Sequence, residues 1–374
     1  MERRSIHIRT GLLAIGFLLL AVGCSSSDNT EEPQPTMLTI YVYSPEHPML
    51  IRGTVGNVDA LVAESSVHKL QIWIFKHGTA ERVGYLETEE TSLLNISEGA
   101  VYQIPVDDDF AQNKPNVDVY VLANVTDDNC GCAFDMNSTR TTLESAQIDA
   151  DHFGLTTLIT EVPEDGLPMA GVLKDQEVVG DAPVLRIDDS GNIATVLLER
   201  VVSKVRFVFG TAESGMPTIT GITINANMLY TEGYLIPHDA LTALNLKSSE
   251  TSLLSSDVDI ETEDTYLSKY SYVDQEAQEY ETLINDAVAE GKLTVIGPYY
   301  LKESDKRLAG TISYKIGEEA KDPAPFQMKA TGDFLRNHSW IVYVYYTGGG
   351  YLQTDAIYVK KWTTKEVSHE VYNW

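Results

Sequence analysis

The sequence predicts an all-β protein with minor helices, arranged as two β-sandwich domains in tandem. From Met37 onward, short alternating runs of apolar and polar residues are separated by turn residues, the pattern of half-buried strands rather than amphipathic helices. The 20 Tyr outnumber the 9 Phe, and tyrosine suits strands with one wet face. With 43% apolar residues in a chain of 374, real cores can be buried, while only 3 Cys exclude a disulfide scaffold. Packing must therefore hold the protein together.

Ahead of the first strand, Arg3, Arg4 and Arg9 precede an apolar or small stretch over residues 11–22. It is too short to span about 30 Å of hydrocarbon, so residues 1–23 read as an export signal. The stretch ends Leu20-Ala21-Val22-Gly23-Cys24 before a run of Ser, which resembles a bacterial lipobox. In that motif Cys24 is lipidated and becomes the first residue of the mature chain. Residues 28–35 are polar, acidic and contain Pro, a tether composition.

Residues 37–43 alternate, with Leu38, Ile40 and Val42 on one face. A second strand over 67–75 closes on the turn pair His77-Gly78, and strands over 101–106 and 117–123 follow. Residues 143–146 are a short helical candidate. Residues 195–209 form a long strand region, with Val201, Ser203, Val205, Phe207 and Phe209 on one side and Arg200, Lys204 and Arg206 on the other. Further strands are expected over 219–226, 293–296, 310–316, 340–346, 351–360 and 367–374. One helix is well signposted: Asp274 can cap it, Tyr280, Leu283, Ile284, Ala287 and Val288 share a face, and Gly291 can end it. That face should lie on a sheet. Gly348-Gly349-Gly350 marks a hairpin. No short repeat is present, and the domain boundary falls near residue 198.

The net charge of −28, from 27 Lys or Arg against 55 Asp or Glu, excludes a nucleic-acid reader. The chain holds no nucleophile elbow, zinc-protease helix, P-loop or dinucleotide fingerprint, so no enzyme, cofactor or metal is expected. Asp149 and Asp151 begin like a calcium loop, but Phe153 stands at the fifth position and Thr160 at the twelfth, where oxygen ligands are required. A polar loop is the expectation, and Asp107-Asp108-Asp109 reads as a solvated turn. Cys130 and Cys132 flank Gly131 and form either a small local disulfide or two free thiols. Arg200, Lys204 and Arg206 are expected to pair with carboxylates rather than bind a ligand.

Several separated stretches resemble the fimbrillin family, lipoprotein precursors of major fimbrial subunits in anaerobic Gram-negative bacteria. They are the lipobox, the lone Arg of Ile51-Arg52-Gly53-Thr54-Val55-Gly56, and the strand with Val67, Leu70, Ile72, Ile74 and Phe75. A strand ending Ala123-Asn124, a Pro168-Met169-Ala170-Gly171 turn and the Arg200…Lys204 strand follow. Tyr299-Tyr300-Leu301-Lys302-Glu303, Leu335-Arg336-Asn337-His338-Ser339-Trp340, and Trp362 before a final strand ending at Trp374 complete the order.

The resemblance implies a fimbrial shaft subunit of two transthyretin-like sandwiches, residues 53–197 and 198–374, that supports adhesion. It also implies an outer-membrane lipoprotein, with residues 24–52 as a lipidated propeptide that an Arg-specific protease removes by cutting between Arg52 and Gly53. Loss of the strand holding Leu38, Ile40 and Val42 would leave an apolar groove and unpaired backbone groups. Another fimbrial subunit could fill it by strand donation. The expected donor is the C-terminal stretch, where Val367, His369, Val371 and Asn373 share one face and Tyr372 and Trp374 the other. A host or bacterial surface ligand is a further expected partner. The rival readings are an anchor or tip subunit of the same fimbria, and a glycan-binding surface lipoprotein using its Tyr and Trp.

Overall fold

The computed structural model describes residues 36–43, 63–89, 100–153, 158–179, 184–186, 195–211, 217–260, 284, 286–328, 334–346 and 350–361. Ten strands come from the first part of the chain: β1 (Thr36–Tyr43), β2 (Leu70–Lys76), β3 (Arg82–Thr88), β4 (Ala100–Val106), β5 (Val117–Ala123), β6 (Gln147–Ile148), β7 (Met169–Val179), β8 (Val184–Arg186), β9 (Thr195–Leu197) and β10 (Glu199–Arg200). Eleven more follow: β11 (Val202–Thr211), β12 (Thr218–Ile224), β13 (Gly233–Tyr234), β14 (Thr251–Ser252), β15 (Val258–Asp259), β16 (Thr294–Lys302), β17 (Ala309–Ile316), β18 (Glu319–Ala320), β19 (Ala324–Gln327), β20 (His338–Tyr346) and β21 (Leu352–Lys361). Short helices α1 (Asp108–Asn113), α2 (Asp127–Cys130) and α3 (Arg140–Glu144) decorate the first half. The fold is all-β, as the alternation predicts.

The first sheet runs β10-β7-β5-β2-β3-β4-β1-β8, with β9 also on β1, and it returns on itself because β8 pairs β7. A single pair, Gly84 with Val106, joins β3 to β4, so β2, β5 and β7 face β1 and β4 across the first core. Leu70, Ile72 and Ile74 of β2 and Val117, Val119 and Val121 of β5 enter that core together with Leu38, Ile40, Ile104 and Val196. The opposite faces of β2 and β5 are buried as well. Trp73, Phe75, Tyr120 and Leu122 pack there on Cys130 of α2, Leu143 of α3, Val201 and Tyr300. Burial on both faces explains why these two strands read as nearly continuous apolar runs.

In the second half, the sheet β16-β11-β20-β21 has one parallel pair, β11 with β20. It faces a sheet built on β12 and β17. Val205, Phe207, Phe209, Trp340 and Val342 meet Ile219, Ile222, Ile312 and Phe326 in the second core. On the outer face, Val208, Ile341 and Tyr343 carry Ile284 and Ala287. Residues 286–289 are helical, and Gly291 follows at φ +69°; the signposted helix therefore lies on a sheet. Its expected start at Asp274 and Tyr280 lies outside the described residues, as do Gly348 and Gly349, although the β20–β21 pairing is the hairpin expected of them.

Three local expectations are corrected. Residues 168–171 are not a turn: Met169, Ala170 and Gly171 open β7 and pair with β5. Asp107 is more than a solvated turn residue, because its side chain accepts the Phe110 N–H and caps α1. The helix expected at 143–146 lies earlier, at Arg140–Glu144.

Candidate functional site

The residue pattern of β1 decides its role in the first core. Leu38 and Ile40 are 0% exposed and Val42 is 4% exposed, while Thr39 and Tyr41 between them are half-buried on the outer face. Burying three such side chains contributes on the order of 6 kcal/mol. The strand is not at an edge. Seven of its residues, from Thr36 to Val42, pair antiparallel with β4, and Tyr41, Val42 and Tyr43 pair in parallel with β9. The Leu198 N–H donates to the Tyr43 carbonyl at 2.9 Å. Close approach of β9 to β7 depends on Gly171, where a Cβ would stand 2.6 Å from Val196 Cγ1 and 2.7 Å from the Leu197 carbonyl oxygen.

Withdrawal of β1 would thus uncover both an apolar slot and the backbone groups of β4 and β9. Within the slot, Tyr102 of β4 stands opposite Ile40. Its ring is buried and its hydroxyl has no hydrogen-bond partner among the described residues. An unpaired buried hydroxyl costs about 1–3 kcal/mol. Burial alone pushes the Tyr102 pKa up to about 12.

Downstream of β1, residues 63–65 are fastened to the second half of the chain by a buried charged network. The Glu64 carboxylate accepts Lys204 Nζ at 2.9 and 3.0 Å and the Tyr300 hydroxyl at 2.6 Å. Arg200 Nε donates to the Glu64 carbonyl at 2.8 Å, and its two terminal nitrogens donate to Ser65 Oγ at 2.6 Å and Asn337 Oδ1 at 3.1 Å. Burial raises the Glu64 carboxyl, but Lys204, Arg200 and the Tyr300 hydroxyl outweigh it, so its pKa lies below the usual carboxylate value. The expected pairing of the basic cluster with a carboxylate is thus met at Lys204. A second buried pair, Arg336 with Glu303, anchors the residues before β20.

Of the residues singled out in the sequence, Leu38, Ile40 and Val42 come together on one core face. Cys24, Arg52, Gly53, Val367, Val371, Tyr372 and Trp374 lie outside the described residues. Cys130 and Cys132 are free thiols, not a disulfide: Cys130 ends α2 pointing into the core, and Gly131 in the left-handed region turns the chain away toward half-buried Cys132. Burial pushes the Cys132 thiol up to about 11 and the Cys130 thiol well above its usual value. The Asp149 carboxylate is taken by the Asp151 N–H and the His152 ring, and no metal-holding cluster occurs among the described residues. Trp73 and Trp340 are fully buried, which removes both from any exposed aromatic platform. No helix among the described residues is long and apolar enough to cross a membrane.

No family model matches the chain, and no curated protein matches it. Among solved structures, it is similar to a candidate cell adhesion protein from Parabacteroides distasonis, with 14% identity over 88% of this chain and 99% of that one, at a TM-score of 0.50. It is also similar to a C-terminally truncated form of the tip fimbrial protein Mfa3 from Porphyromonas gingivalis, with 12% identity over 87% and 99% of the two chains, also at 0.50. The chain has the fold of these proteins.

Proposed function

We propose that the chain is a structural subunit of a cell-surface fimbria, exported as an outer-membrane lipoprotein precursor through Cys24. An Arg-specific protease cuts between Arg52 and Gly53, β1 leaves, and the C-terminal stretch of another subunit takes its place. Residues 53–197 and 198–374 act as the two body domains, and residues 24–52 as a propeptide. The observation that carries the reading is the placement of β1: its side chains complete the first core, β4 and β9 pair with it along their length, and the predicted cut lies just beyond it. Intact, β1 blocks assembly by occupying the seat a donor needs. The fold shared with a fimbrial tip protein supports the same class of work at the cell surface.

Strand donation supplies backbone hydrogen bonds for affinity and alternating side chains for register. Because donor and acceptor surfaces differ, the contact is heterologous and propagates as a filament. A low dose of trypsin added to lipid-free protein tests the reading. The first cut should fall after Arg52 and SDS-resistant ladders should follow; a cut product that stays monomeric contradicts it.

A further inference from the structure

We infer that the Tyr102 hydroxyl is a hydrogen-bond key for the strand that replaces β1, and that it recognises His369 in the C-terminal stretch of a second copy of this chain. The inference rests on the strand-replacement reading above. Tyr102 is 7% exposed and directly opposite Ile40 in the β1–β4 register. Its hydroxyl has no partner among the described residues.

Four other tyrosines with raised pKa values hold carboxylates: Tyr85 donates to Glu87, Tyr120 to Glu144, Tyr230 to Asp305 and Tyr300 to Glu64; a fifth, Tyr299, is raised by burial alone. Tyr102 differs because the three inward side chains of β1, Leu38, Ile40 and Val42, offer no acceptor. Among the described residues, one buried group is therefore left unpaired at the seat.

The C-terminal alternation supplies the missing group. Val367, His369 and Val371 share a face, an imidazole between two valines. Aligned on β1, Val367 and Val371 take the outer aliphatic positions of Leu38 and Val42, and His369 takes the central position opposite Tyr102. A neutral imidazole nitrogen accepts the tyrosine proton. Exchange of β1 for this strand gains a hydrogen bond that the described residues of the precursor do not supply, which favours assembly once the cut releases β1 and gives the donor one register.

The test compares four lipid-free proteins, wild type, Tyr102→Phe, His369→Leu and the double variant, before and after low-dose trypsin. Before cutting, Tyr102→Phe should unfold at the same urea concentration as wild type or a higher one. After cutting, its SDS-resistant ladders should dissociate about tenfold faster, equivalent to about 1.4 kcal/mol. That tenfold effect should vanish when Tyr102→Phe is made in the His369→Leu background. Equal ladder lifetimes for wild type and Tyr102→Phe overturn the inference, as does an undiminished effect in the double variant or a destabilised uncut Tyr102→Phe protein. A wild type that forms no ladders at all overturns the strand-replacement reading itself.

Discussion

Replacing Ile40 by Ala separates the two states that the account requires. Ile40 is 0% exposed, central in β1 and packed in the first core. Truncating such a side chain costs about 2–5 kcal/mol, the transfer of the lost methylenes plus the cavity they leave. Taking about 3 kcal/mol, and a urea slope of about 3 kcal/mol per M for a protein of this size, the unfolding midpoint of the uncut chain should fall by about 1 M. In the polymer β1 is absent, so the same substitution should leave ladder dissociation unchanged while β1 departs faster after the cut. Urea unfolding followed by tryptophan fluorescence reads the first effect, because Trp73 is buried against the first half; gel densitometry over time reads the second. A polymer weakened as much as the precursor would refute the reasoning, since it would mean that β1 stays in place.

Other outcomes follow from the junction and the sheets. Glu64→Gln leaves Lys204 buried without its counter-charge and should cost about 3–5 kcal/mol, much of it recovered in the Glu64→Leu, Lys204→Met double variant, as measured by urea unfolding. Because the folded pKa of Glu64 is depressed, its contribution to stability is present above its ordinary value of about 4.5 and is lost as pH falls below that. A midpoint-versus-pH profile should therefore drop on the acid side in wild type and flatten in Glu64→Gln. Gly171→Ala forces a Cβ against the β9 backbone and should cost about 1–3 kcal/mol, read as a lowered melting temperature. Thiol labelling without reductant should find Cys130 and Cys132 both reactive in denaturant and Cys130 protected when native; a mass lower by two protons with no labelling would contradict the free-thiol state.

How much of this was legible depended on whether the signal was local. The β1 and β5 runs were found nearly to their ends because their side chains alternate or are buried throughout. Strand β3 was missed because Arg82, Glu87 and Thr88 break its pattern, and β7 because its middle is polar where it leaves the core. The helix before Gly291 was readable from Ile284, Ala287 and Val288, whose spacing is set by the surface they cover. The Glu64 network left no local trace: its partners lie 136 to 236 residues away by sequence, since they meet only when the halves pack. Tyr102 was likewise invisible as a special residue. A tyrosine in an alternating strand looks ordinary until the surroundings of its hydroxyl are known.

The most direct measurement is the N-terminal residue of the protein recovered in polymeric form from the cell surface. The account predicts Gly53, with β1 absent from the polymer by mass spectrometry. Polymer that begins at lipidated Cys24 and retains Leu38, Ile40 and Val42 would contradict it.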